Sequence, residues 1–307
     1  MSRILVTGGN GLVGNAIKSY QNDFGTATEF FFPTRVDADL TDLAQTEKLF
    51  RRIKPTHVIH LAARVGGLYC NMNKPVQMYE DNILINMNVV QCCQKYKVER
   101  CICTLSTCIF PDKVQYPITG SKLHEGPPHN SNFAYAHAKR MLHVHAAAQM
   151  QQYPDGCQYV CVAPTNIYGP HDNFNLEDSH VVPALIHKAH LAAQPGGSGY
   201  LDVKGTGKAQ RQFLYSKDLA HIMLELLFVK DPPQGVTIVS PEQEVSIAEC
   251  AELIAKKYGI KVQYDKSCSD GQLRKTCLGM HYSYTPLDEG LHGTIQWFKE
   301  NYNNARR

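Results

Sequence analysis

The sequence predicts an α/β protein: a doubly wound parallel sheet followed by a smaller carboxyl-terminal domain. Three observations carry that expectation. Short β-rich runs alternate with helical stretches through residues 1–170. The first run, Ile4-Leu5-Val6, leads straight into Thr7-Gly8-Gly9-Asn10-Gly11-Leu12-Val13-Gly14. A later strand ends in Thr104-Leu105-Ser106-Thr107-Cys108, upstream of a helix that carries Tyr135 and Lys139.

Ile4-Leu5-Val6 reads as a buried strand, and Asn15 to Tyr20 as the helix after it. Glycines at 8, 11 and 14 permit a tight turn, close approach of the backbone to a diphosphate, and close helix-to-strand packing. The helix amino terminus adds N–H donors and a positive dipole end. Such glycines also occur in plain turns, but the strand before and the helix after favour a Rossmann-type nucleotide cradle. It takes in Gly8, Gly9, Asn10, Gly11, Leu12, Val13 and Gly14. A second strand, Glu29 to Phe32, ends in Pro33-Thr34-Arg35. Sites that hold NAD place an acid here for the ribose hydroxyls. Arg35 suits a ribose phosphate instead, so NADPH/NADP is the expected cofactor; a solvated loop residue is the plainer alternative. Asp39 and Leu40 are placed to meet the adenine.

Thr41 is expected to cap a helix running to Ile53, and His57 to Leu61 to form the third strand. The small Ala62 and Ala63 beyond it let a cofactor lie close against the strand end. Pro75 opens a long helix to about Tyr96, with Met78, Asn82, Ile85 and Val89 near one face. Arg100-Cys101-Ile102-Cys103 is the next strand, and Pro111 to Asn130 a long loop over the site. The segment around Tyr135-Ala136-His137-Ala138-Lys139-Arg140 is rich in good helix formers, so Tyr135 and Lys139 share a face. An ammonium beside a phenol favours the phenolate, so Lys139 is expected to lower the Tyr135 pKa from about 10. With the Ser106 hydroxyl on the same oxygen, the trio suits interconversion of a carbonyl and an alcohol. The Tyr/Lys spacing alone carries little weight, because Tyr200 and Lys204 repeat it in a short β-type run.

Cys157 to Ala163 makes a further strand, ending in Pro164-Thr165-Asn166-Ile167-Tyr168-Gly169-Pro170. The alternation loosens there. Residues 1–170 are therefore expected to form the dinucleotide domain, with about 211–240 returning to it, and 171–307 to form most of a substrate domain. His171 to His180 is polar and irregular, and Val182 to Ala193 helical. Ser246-Ile247-Ala248-Glu249 is a capping box opening a helix to Tyr258, and Leu287 to Tyr302 is a last helix.

The totals exclude several classes. A net charge of +3 without a basic block disfavours nucleic acid or a membrane surface as partner. Apolar stretches such as Ile222 to Val229 are too short to span a bilayer. No signal peptide precedes the first strand, so a cytoplasmic location is expected. Eleven cysteines, none spaced Cys-x-x-Cys, read as reduced thiols. No metal is expected: His57 and His60 face opposite ways on a strand, and nothing completes a site beside His187 and His190.

Segments spread over nearly the whole chain resemble the extended short-chain dehydrogenase/reductase family. They run Val6 to Gly14, His60 to Leu68, Leu105 to Asp112, Gly126 to Arg140, Pro164 to Asn175, Ser179 to Lys188, Arg211 to Tyr215, and Ser269 to Lys275. Ser106-Thr107-Cys108-Ile109-Phe110-Pro111 and Gly169 to Asn175 with Ser179-His180-Val181 are the most specific. They are similar to the family's NADPH-dependent branch that epimerises carbons 3 and 5, and reduces carbon 4, of a GDP-4-keto-6-deoxy sugar. A ketone at carbon 4 acidifies both neighbouring C–H bonds, and inversion needs a base on one face and an acid on the other. The resemblance implies Cys108 as base, His180 as acid, and Tyr135 as proton donor with Ser106 and Lys139. It also implies cofactor contacts from Pro164, Asn166 and His180, and substrate contacts from Ser106, Cys108, Asn166, Lys188, Arg211 and Lys275. A cation such as Lys139 would help the thiol ionise. A homodimer through the long helices of the sheet domain is implied as well.

Some positions depart from the family. Lys204 stands where relatives commonly have Trp, Lys188 where some have Arg, and the stretch between Lys275 and Pro286 is short. Other readings stay open. Free Cys is often just a small buried hydrophobe, and a lone His a structural one. A dehydratase wants a carboxyl pair beside the Ser, where this chain has Thr107 and Cys108. A 4-epimerase would show no net use of NADPH, and a non-catalytic NADP-binding sensor would have no need of Ser106, Tyr135 and Lys139 together.

Overall fold

A computed structural model describes residues 1–268, 270 and 272–307; Ser269, where one family-like segment begins, lies outside them. The chain runs β1 (Ser2–Thr7), α1 (Leu12–Tyr20), β2 (Thr28–Phe31), α2 (Leu43–Ile53), β3 (His57–His60), α3 (Leu68–Asn73) and α4 (Pro75–Lys95). It continues with β4 (Arg100–Thr104), α5 (Phe133–Gln152) and β5 (Gln158–Pro164). After these come β6 (Asn166–Tyr168), α6 (Val181–Ala192), β7 (Tyr200–Lys204), β8 (Gln210–Arg211), β9 (Phe213–Tyr215) and α7 (Ser216–Phe228). The last elements are β10 (Val236–Val239), β11 (Val245–Ser246), α8 (Ile247–Tyr258), β12 (Lys261–Asp265) and α9 (Leu287–Glu300).

Six strands form one parallel sheet in the order β10-β5-β4-β3-β1-β2. A parallel sheet covered on both faces needs apolar side chains on both, and these strands supply them. Leu5, Val58, Cys101, Cys103 and Cys161 pack under Val89, Val90 and Cys93 of α4 and Leu142 and Ala146 of α5. Ile4, Val6, Ile59, Ile102 and Val160 point the other way, against Val13 and Ile17 of α1 and Leu219, Met223 and Leu227 of α7. A separate core gathers Leu185 of α6, Leu201 and Val203 of β7, Ile254 of α8 and Phe298 of α9. Thus α7 and β10 belong to the sheet layers although they follow β9, and α6, α8 and α9 enclose a second body.

The chain leaves β1 for β2 on one side and returns to β3 on the other. That reversal opens a crevice at the carboxyl ends of β1 and β3, where open α/β sheets bind ligands. The turn beyond β1 is tighter than the sequence suggests. Gly8 sits at φ +70° and Gly11 N–H donates to its carbonyl at 3.0 Å. Helix α1 therefore starts at Leu12 rather than Asn15, with Gly11 at its amino-terminal cap. At α2 the cap is Asp42, not Thr41: the Asp42 carboxylate accepts from Gln45 N–H at 3.1 Å, while the Thr41 hydroxyl donates to Asp39. A carboxylate one residue nearer the helix outcompetes the hydroxyl for the free N–H groups. The capping box at Ser246 and Glu249 forms as the sequence predicts. Residues 111–130 fold partly into a short 3-10 segment, Gly120–His124.

His60 closes the end of β3 inside the protein. The Thr7 hydroxyl lies 2.8 Å from its Nδ1, and Asn86 Oδ1 lies 3.0 Å from its Nε2. Thr7 Oγ1 also accepts from Ala62 N–H at 3.2 Å, which ties the glycine turn to the segment after β3. Burial, and then the charge of Lys139, lower the His60 pKa from 6.5 to about 3. Because the folded value lies below the unfolded one, stability is fully present above pH 6.5 and falls as the pH drops toward 3. The His60 ring resonances should therefore not titrate between pH 7 and pH 5 in an NMR series. A midpoint inside that window would contradict a neutral, buried imidazole.

Candidate active site

The glycine turn leaves its backbone bare because no side chain fits there. A Cβ on Gly8 would come within 2.9 Å of Ala62 N, and one on Gly14 within 2.5 Å of Gly9. A Cβ on Gly9 would press on the Phe32 ring at 2.7 Å. Leu12 and Val13 follow in the first turn of α1, and the half-buried Ala62 and Ala63 stand across the crevice after β3. Such a bare turn facing the positive end of a nine-residue helix fits a dinucleotide diphosphate. Arg35 is exposed beyond β2 and donates to the Asp39 carboxylate at 3.0 Å. The Thr41 N–H and hydroxyl, and then Arg35, hold that carboxylate below its usual range. Leu40 is half-buried, and its carbonyl accepts from Asn88 at 2.9 Å. Pro164 ends β5; the exposed Asn166 opens β6 and donates to the Gln212 carbonyl at 3.3 Å.

At the end of β4 the chain gathers its reactive groups. Lys139 is 1% exposed, and its ammonium donates to the Thr104 carbonyl at 2.9 Å. Burial lowers its pKa to about 8, with the thiols of Cys103 and Cys108 opposing. Tyr135, one turn earlier on α5, does not have the depressed pKa that the sequence suggests. Burial, and then the charge of Cys108, push the phenol up. The reason is geometric: the ammonium is engaged by a backbone carbonyl at the strand end, and a buried phenolate loses its hydration. The phenol is held protonated.

Cys108 sits on a single 3-10 turn, Thr107–Ile109, capped by Ser106, whose Oγ accepts from the Cys108 N–H at 3.4 Å. Buried Arg140 clamps this turn, donating from Nε to the Ile109 carbonyl and from Nη1 to the Gly126 carbonyl, each at 3.0 Å. Burial raises the Cys108 thiol; Lys275 opposes it most, then Ser106, then Lys139. The cation expected to aid the thiol was Lys139, but Lys275 contributes more. A long-range bridge brings it there. Ile118 N–H donates to the Thr276 carbonyl and Leu278 N–H to the Ile118 carbonyl, both at 2.8 Å, while the Gln212 amide brackets Cys277 at 2.8 and 3.0 Å. Burial lowers the Lys275 pKa, with Cys108 opposing.

The remaining expected residues are more dispersed. His180 is the cap residue of α6, with an exposed side chain and enough surrounding protein to lower its pKa. Arg306 lowers it further and Asp178 opposes. Its loop reaches the end of the sheet through Asp178, whose carbonyl would lie 2.9 Å from a Cβ on Gly67, beyond β3. Arg211 donates to the carbonyls of Gln210 and Gln272, each at 2.7 Å. Lys188 reaches the Asp202 carbonyl at 3.3 Å and lines an open cavity of about 700 Å³ with Tyr200, Lys204 and Asp265. The departure at Lys204 therefore falls in the same cavity as Lys188, apart from Cys108 and Tyr135.

Sequence reasoning missed Asn86, Arg140 and the role of Thr7. A signal existed for the first: Asn82 and Asn86 interrupt an otherwise apolar face of α4 one turn apart, and both are buried. Arg140 had only its place beside Lys139.

Comparison with known proteins agrees with this geometry. The NAD dependent epimerase/dehydratase family matches residues 4–238. A GDP-L-fucose synthase of Dictyostelium discoideum is 44% identical over 99% of this chain and 97% of its own. The chain belongs to the GDP-L-fucose synthase branch of that family. Its Escherichia coli member is 32% identical over 99% of this chain and 98% of its own. A GDP-L-fucose synthetase from Naegleria fowleri, solved bound to NADP, superposes with a TM-score of 0.94 at 41% identity, covering 100% of this chain and 95% of that one.

The Cys108 environment makes a prediction independent of turnover. Removing Lys275 by Lys275→Met takes away the largest group that lowers the thiol pKa. The pH midpoint for alkylation of Cys108, followed peptide by peptide in a mass spectrometer, should rise, as for loss of a nearby opposite charge. An unchanged midpoint would mean that Lys275 does not act on the thiol.

Proposed function

We propose that this chain converts GDP-4-keto-6-deoxy-D-mannose to GDP-L-fucose, by epimerisation at carbons 3 and 5 and NADPH-dependent reduction at carbon 4. The observation that carries this reading is the electrostatic link between Cys108 and Tyr135 at the end of β4. A thiol that shares its surroundings with a protonated phenol suits a site doing both proton abstraction and carbonyl reduction. The synthases named above, and the NADP-bound relative, support the substrate and the cofactor.

Cys108 as thiolate removes the proton from carbon 3, and the C–H electron pair moves to place charge on the carbon 4 oxygen. The Tyr135 and Ser106 hydroxyls hold that oxygen. His180 returns a proton to carbon 3 from the opposite face; Cys108 then loses its proton to solvent and His180 takes one back, and the reset pair acts at carbon 5. NADPH supplies the hydride that reduces carbon 4. Tyr135 gives its proton to the carbon 4 oxygen, and Lys139, fixed on the Thr104 carbonyl, positions the helix that presents the phenol. Burial keeps Tyr135 protonated until that moment, so it acts as an acid rather than as a standing phenolate. Lys275 favours the thiolate that the first step needs.

In this reading residues 1–170, with α7 and β10, hold the dinucleotide, and most of 171–307 holds the sugar nucleotide. Asn166, Lys188, Arg211 and Lys275 are its contacts, Arg211 and Lys275 being the cations suited to the diphosphate. The protein works in the cytoplasm; no helix among the described residues is long and apolar enough to cross a membrane. It works as a homodimer through α4 and α5. Those neighbouring helices leave Leu84, Met87, Met141 and Val144 more than a third exposed, a row of apolar side chains that a second copy would cover.

Two variants separate the half-reactions. Cys108→Ala should bind NADPH normally but take up no solvent deuterium at carbons 3 and 5. Tyr135→Phe should keep that exchange and lose about a hundredfold or more in NADPH oxidation, the usual contribution of a general acid. Exchange at the normal rate in the first variant, or normal oxidation in the second, would remove the assigned role. For the assembly, Met87→Glu with Val144→Glu should shift sedimentation from dimer to monomer; a parent protein that sediments as a monomer would end that part of the proposal.

A further inference from the structure

The geometry points to Lys18 as a second cation, beside Arg35, for the phosphate that distinguishes NADPH from NADH. This rests on the proposed use of NADPH at the glycine turn. Lys18 lies in the last turns of α1, and its ammonium donates to Asn10 Oδ1 at 2.8 Å, so a residue of the turn itself holds it. The same ammonium stands 5.2 Å from the centroid of the Phe32 ring. Phe32 is the first residue beyond β2, and its ring lies against Gly9. The ribose that carries the extra phosphate lies where the turn meets the end of the second strand. Lys18 is held at that junction by Asn10, and Arg35 follows three residues after Phe32 in the loop beyond β2.

Charge balance requires more than Arg35. A phosphate monoester carries about −1.5 to −2 charges near neutral pH. Arg35 is already paired with Asp39 at 3.0 Å, so the two together offer little net positive charge. Among the described residues no ion pair involves Lys18. Burial lowers its pKa, a sign that protein has replaced part of its hydration without supplying a counter-ion. An anion arriving at the junction would provide one. Nearby Asn10 is neutral, so its amide positions the ammonium and adds no charge.

The test is binding, read by quenching of protein fluorescence, of NADPH and NADH to the parent protein and to Lys18→Gln, Lys18→Arg and Arg35→Gln. 2′,5′-ADP and 5′-ADP serve as displacing probes. Lys18→Gln should weaken NADPH and 2′,5′-ADP by about tenfold, the loss of one charge-assisted hydrogen bond at a half-exposed site, and leave NADH and 5′-ADP within about twofold. Lys18→Arg should restore most of the preference. If Lys18→Gln weakens all four ligands alike, or none of them, Lys18 has only a structural part and the inference is overturned. If instead the parent protein binds NADPH and NADH equally, the cofactor reading itself fails, and that outcome does not depend on any Lys18 variant.

Discussion

One buried ammonium fixes the active end of this protein. Lys139 comes from α5, and among the described residues its ammonium donates only to the carbonyl at the end of β4. Burying a cation is unfavourable unless a partner replaces its water, and here a single carbonyl does so, which is why its pKa falls to about 8. The bond fixes how α5 sits on the sheet. The phenol one turn earlier, and the clamp that Arg140 puts on the Cys108 turn, then follow from helix geometry alone. Shift α5 by one residue and the ammonium, the phenol and the clamp all leave their places together.

The thiol shows how closely opposed forces set a reactive group. Burial raises it, and three separate groups pull it down, without reversing the sign. A thiol held high is a scarcer thiolate but a stronger base, which suits removal of a proton from carbon beside a ketone. The proximity of Cys108 also raises Tyr135. A charge on Cys108 therefore opposes ionisation of the phenol, which burial already disfavours.

The sheet was legible because its physics is local. Strand ends, the glycine turn and the capping box at Ser246 are signalled by residues within a few positions, and each appears within about three residues of its expected place. The Thr41 cap failed for a local reason too: Asp42 next door is the better acceptor. What stayed hidden was long-range. No pattern near Lys275 announces that backbone bonds to Ile118 carry it beside Cys108. Nor does helical spacing reveal that Lys139 is engaged by Thr104, so the sign of the Tyr135 shift came out reversed. Spacing tells which groups share a face; burial and the choice of partner set their charge.

The same division separates chemistry from recognition. Ser106, Cys108 and Tyr135 stand where one strand, one helix and one crossing loop are locked by buried bonds, so small sequence changes elsewhere leave them in place. Lys188 and Lys204 instead line an open cavity in the second body, where the Lys188 ammonium reaches the Asp202 carbonyl at 3.3 Å. Burial, and then the charge of Lys204, lower the Lys188 pKa. A flat aromatic side chain at position 204 would offer a stacking face but no charge. Lysine offers charge but no face. If the sugar nucleotide is held there as proposed, the exchange would move its binding from stacking toward electrostatics and make that end of the site sensitive to ionic strength in a way that the buried trio is not.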